Sequence, residues 1–72
     1  MTLNQAMPQQ LFRIVRIRNS VARQQAIRLG LGEGSIAECF VVLKKGPIVL
    51  KTARQQIAIG QKLARQIDIK LK

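Results

Sequence analysis

The chain has no histidine, no tryptophan and no tyrosine, with only one cysteine and three acidic residues among its 72 positions. Each shortage excludes something. Glu33, Glu38 and Asp68 lie in three separate segments, so no pair of groups is placed for acid–base work or for activating a nucleophile. An enzyme is therefore not expected. Cys39 cannot close an intramolecular disulfide, and without histidine it cannot build a zinc site. It stands in an apolar stretch, where a thiol packs as a small inert hydrophobe. Iron ligation meets the same obstacle, because the carboxylates are few and dispersed. Neither a metal nor a cofactor is expected. The longest apolar run, Cys39 to Leu43, falls far short of the roughly 20 residues a spanning helix needs. No charged-then-apolar leader opens the chain, so the expectation is a cytoplasmic protein without transmembrane insertion.

What the chain does have is positive charge and apolar side chains. Thirteen Lys and Arg against three Asp and Glu give a net charge of +10 at pH 7, and 47% of residues are hydrophobic. That charge favours acidic surfaces: a protein face, anionic lipid or nucleic acid. A chain this short buries only about 60% of the surface it exposes when unfolded, so one small core must use nearly every apolar residue.

Along the chain, Met1 to Gln10 is Gln-rich and carries Pro8, which reads as a tethered N-terminal arm ahead of a domain spanning residues 11–72. Leu11 to Arg18 reads as a strand. Phe12 and Ile14 share a face, but Ile17 follows at odd spacing, which predicts a bulge between them. Asn19 and Ser20 offer caps to a helix over Val21 to Leu29, with Ala22, Ala26 and Leu29 on one face and Gly30 ending it. Ser35 to Leu43 is a strand with apolar residues on both faces, and Lys44-Lys45-Gly46-Pro47 is a hairpin in which Gly and Pro are expected to supply the special angles. Strands follow at Ile48 to Lys51 and Gln56 to Ile59. After a short helix over Gln61 to Gln66, a last strand alternates Ile67, Ile69 and Leu71 against Asp68, Lys70 and Lys72. The expected fold is mainly β: a small SH3-like barrel of about five strands, with one short helix after strand 1 and a second before the last strand.

The order of these pieces resembles the ferrous iron transport protein A (FeoA-like) family. The likeness runs through Leu3, Pro8, Phe12 to Ile17, Leu29-Gly30-Leu31, Gly34-Ser35, Gly46 to Leu50, Ile57-Ala58-Ile59-Gly60, Leu63-Ala64 and Ile67-Asp68-Ile69. The sequence departs from the family's pattern at Glu33, where Pro is common, at Ala26, where Leu is usual, and at Gln9, where Gly is frequent. The resemblance implies a small cytoplasmic accessory of bacterial ferrous iron uptake. Its implied partner is the cytoplasmic part of a membrane ferrous iron permease that carries a GTPase domain.

The expected contacts with that partner are Lys44 and Lys45 at the hairpin, and Leu63 and Arg65 at the second helix. The alternative is a basic SH3-like module that binds nucleic acid. Single-strand readers add aromatic platforms to their charge, and here the two aromatics, Phe12 and Phe40, are assigned to the core. An adaptor drawn to anionic lipid is a third idea. The two apolar faces of Ser35 to Leu43 cannot both line one small interior. One face is expected either to lie under the first helix or to mark an interface.

Overall fold

The computed structural model describes residues 1–43 and 45–72. A 3₁₀ turn at Leu3–Gln5 precedes β1 (Leu11–Ile17), α1 (Ser20–Arg28), β2 (Ile36–Val42), β3 (Ile48–Lys51), β4 (Gln56–Ile59), α2 (Gln61–Ala64) and β5 (Ile67–Leu71). The strands form one sheet in the order β4-β3-β2-β1-β5, and every neighbouring pair is antiparallel. The fold is therefore mainly β with two short helices at the expected places. The barrel is not closed by hydrogen bonds: β4 and β5 are the two edges, and α2 carries the chain from one to the other.

Inner faces of all five strands meet in one buried cluster: Phe12, Ile14 and Ile17 from β1, Ala37 and Cys39 from β2, Ile48 and Leu50 from β3, Ile57 and Ile59 from β4, Ile67 and Ile69 from β5. A flat sheet could not bring its first and last strands to the same interior, so this sheet is strongly coiled. Burying each of the large side chains contributes about 1.5–3 kcal/mol. The expected bulge is present, with the β1–β5 register shifting between Ile14 and Arg16. The extra residue lets Ile14 and Ile17 both point inward despite their odd spacing.

A second bulge corrects an expectation. The β2–β3 register shifts between Cys39 and Val41, leaving Phe40 outside the ladder and 45% exposed instead of in the core. Nor does α1 cover that outer face. Its buried residues, Ala22 and Ala26, enter the same cluster as the inner faces, and Ile36 of β2 stays exposed as Phe40 does.

The side chain of Asn19 accepts a hydrogen bond from the Ala22 N–H at 2.8 Å and starts α1. Gly30, at φ +86°, turns the chain out of the helix. The Leu31 N–H then donates to the Ala26 carbonyl at 2.8 Å. Leu31 takes the buried place expected of Leu29, which caps the helix and remains 37% exposed. In the β2–β3 hairpin the positive φ belongs to Lys45, at 60°, and not to Gly46.

The N-terminal residues are anchored at both ends. Leu3 and Ala6 are buried in the core, the Ile69 N–H donates to the Met1 carbonyl, and the Gln9 N–H donates to the Cys39 carbonyl.

Candidate partner-binding surface

The residues expected to make contact lie at the β2–β3 hairpin and at α2. Lys44 lies outside the described residues. Lys45 is exposed in the turn, which is closed by the Gly46 N–H donating to the Leu43 carbonyl at 2.9 Å. In α2, Ala64 is buried and fixes the helix to the core, while Leu63 is half-buried against it. Arg65 caps α2 and is exposed. Sequence alone gave no reason to bring hairpin and helix together, yet the Gln61 side-chain Nε2 donates to the Gly46 carbonyl at 3.1 Å. That bond ties the turn holding Lys45 to the first residue of α2.

Leu63 also lines an open groove of about 500 Å³ between α1 and α2, with Val21, Ala22, Gln25 and Lys62 among its walls. Asn19 donates to the Gln66 side chain at 3.1 Å across one end. Arg65 is not part of this lining. The cation that accompanies Leu63 in the groove is Lys62, and its exposed apolar companion is Val21. Helical spacing could have suggested Lys62 as Leu63's neighbour. Nothing local pointed to Val21, which belongs to α1 and precedes Leu63 by 42 residues (63 − 21).

The acidic groups are held elsewhere. Asp68 sits between Arg16 and Arg18, with shortest contacts of 3.2 and 2.7 Å. Hydrogen bonding from Arg18, then its charge, then Arg16, holds the Asp68 carboxyl below its ordinary value despite some desolvation; the Arg18 guanidinium is raised in turn by the same hydrogen bond. Glu33 accepts the Ile17 N–H at 3.2 Å and lies 3.8 Å from Arg23, pinning the loop after α1 to β1. Burial, and the charge of Glu38, push the Cys39 thiol up. Among the described residues, no three His, Cys, Asp or Glu side chains gather as metal ligands. No helix among them is long and apolar enough to cross a membrane.

Residues 1–71 match the family model of the FeoA domain. The chain belongs to the FeoA domain family. This FeoA domain is similar to the crystal structure of an iron uptake regulatory protein, FeoA, with a TM-score of 0.93 and 25% identity over 100% of this chain and 97% of that one. It is similar to iron(II) transport protein A from Clostridium thermocellum with a TM-score of 0.90 and 25% identity, over 99% of the FeoA domain and 45% of that chain. The FeoA domain thus spans somewhat under half of the second structure. ScaR with bound Cd²⁺ shares the fold over 97% of this chain and 35% of its own, with a TM-score of 0.87 at 22% identity. No curated protein sequence matches this chain significantly.

Proposed function

We propose that this FeoA domain is a small, non-enzymatic cytoplasmic accessory of ferrous iron uptake, acting by contact with the cytoplasmic part of a membrane ferrous iron permease that carries a GTPase domain. The observation that carries it is the family match over residues 1–71. The surface we assign to the contact is the Lys45 turn together with α2, and it extends along Leu63 and Lys62 into the groove beneath Val21. Lys44 and Arg65 flank this surface in sequence and add charge to it. Half-buried Leu63 supplies apolar area, and the cations around it steer an acidic partner face and set the register of docking. Phe40 at the surface supplies one aromatic to the alternative, a nucleic-acid-binding module, but a stacking platform uses several.

The test is a crosslinking pull-down from solubilised membranes, with tagged protein and nuclease-treated extract. Recovery of a large membrane GTPase is the expected result. Replacing Lys44 and Lys45 by Glu should reduce that recovery several-fold, on the order expected for a few rim charges. Loss of every partner on nuclease treatment would refute the permease contact in favour of nucleic acid. Undiminished recovery of the GTPase by the charge-reversed variant would remove the hairpin from the contact.

A further inference from the structure

The two edges of the sheet are treated differently. On β5, the Ile69 N–H donates to the Met1 carbonyl at 2.8 Å and Thr2 bridges Asp68, so the chain's own start covers that edge. Among the described residues nothing comparable lies on β4. The Thr52 N–H donates to the Gln55 carbonyl at 2.9 Å to close the β3–β4 turn, and the register pairs Lys51 with Gln56, Leu50 with Ile57, Val49 with Ala58 and Ile48 with Ile59. Hydrogen-bonded and non-bonded pairs alternate along an antiparallel ladder. Ile57 and Ile59 therefore bond to β3, while Gln56 and Ala58 direct both their N–H and C=O groups outward. Among the described residues no backbone or side-chain group bonds to these outward groups.

Beside this edge runs an open groove between β4 and the end of α1. Its floor is set by the Gln55 side chain, which donates to the Leu29 carbonyl at 3.2 Å. Ile27, 59% exposed, and Leu29 line it, and so does Arg28. Arg54 stands exposed in the adjoining turn. None of the three acidic residues lines the groove, and among the described residues neither Arg28 nor Arg54 forms an ion pair.

We propose that the outer edge of β4 is a docking edge for an extended acidic segment of a partner protein, which adds to the sheet as a further strand. The open groups of Gln56 and Ala58 bond its backbone, Ile27 and Leu29 take its alternate apolar side chains, and Arg28 with Arg54 take its carboxylates. Charge complementarity selects this occupant. A second copy of the chain would pair two bodies of net charge +10 with their arginines side by side. The site shares no lining residue with the groove holding Leu63 and Lys62 and does not rest on the proposed function.

The experiment is an NMR titration of the full chain with a ten-residue peptide of alternating valine and glutamate, beside a valine–lysine peptide of equal length. Expected are shifts centred on Gln56, Ala58 and Ile27 to Gly30, slower amide exchange at Gln56 and Ala58, and binding that weakens with salt. Ala58→Pro removes one outward N–H without touching the β3 ladder, and should weaken binding about tenfold. Arg28→Glu with Arg54→Glu, both at exposed positions, should weaken it similarly, and this variant decides the matter if Ala58→Pro does not fold. Shifts centred on Lys45 or the outer sheet face overturn the proposal. So do equal binding of the valine–lysine peptide, and undiminished binding by the charge-reversed variant. Self-association of the protein alone through β4 would make the occupant a second copy and overturn it as well.

Discussion

Leu3 stands in a stretch whose composition suggests an arm, yet it is fully buried. Replacing it with Ala removes three methylene-sized groups from a core built of residues from all five strands. Leu→Ala changes at sealed positions cost about 2–5 kcal/mol. The lower half of that range applies here, because the 3₁₀ turn is held by few long-range bonds and can partly collapse into the space. We therefore expect a loss of about 3 kcal/mol. Typical stabilities of 0.05–0.15 kcal/mol per residue imply about 4–11 kcal/mol in total for a chain of this length, so about a quarter or more of it would go. The assay is urea denaturation followed by circular dichroism, with Met7→Ala as an exposed control. The midpoint of Leu3→Ala should fall with an unchanged slope, and thermal melting should drop by about 12–24 °C. A Leu3→Ala cost below about 1 kcal/mol, indistinguishable from the control, would refute the assignment of Leu3 to the core. Residues 11–72 alone should melt lower still, since they also lose Ala6 and the bonds to Ile69 and Cys39.

The two phenylalanines should separate sharply: Phe12→Ala is expected to cost about 3–5 kcal/mol and Phe40→Ala under about 1, measured by the same denaturation. Gly30→Ala should destabilise by about 1 kcal/mol because φ is +86° and the new Cβ would meet the Gln55 side chain at 3.1 Å, whereas Gly32→Ala, with open space around it, should be near neutral. The lowered Asp68 carboxyl contributes stability that is complete above its ordinary value of about 4 and is lost as pH falls through its lower folded value. Asp68→Asn should therefore flatten the acid limb of a stability–pH curve, and an unchanged limb would contradict the two-arginine clasp. Cys39, buried and with its thiol pushed up, should react with a thiol reagent on the order of a hundredfold or more slowly in the native protein than in urea.

Much of the fold was legible from local signals. β3 and β4 have the expected limits, the clash of spacing between Ile14 and Ile17 foretold a bulge, and Asn19 with Gly30 marked the limits of α1 to within a residue. These features depend on neighbours in the chain: period-two alternation, a capping side chain, a residue free to take positive φ. The family was legible for the same reason, being written in an ordered series of such local pieces. Charge and the shortage of ligands were settled by composition alone.

Tertiary structure decided what depends on partners distant in sequence. Leu3 is buried because the interior needs a plug near β5 and α2, a demand no window around Leu3 contains. Leu31 displaces Leu29 because Gly30 reverses the chain above Ala26, and Phe40 faces outward because a bulge against β3 makes it the unpaired residue. The candidate surfaces are of this kind as well. The Gln61 side chain ties α2 to the Gly46 carbonyl of the Lys45 turn, and Met1 and Thr2 cover the β5 edge while β4 is the other edge of the sheet. A sequence states which side chains can be buried or charged. Which of them meet depends on how one small sheet coils and which of its edges the chain itself covers.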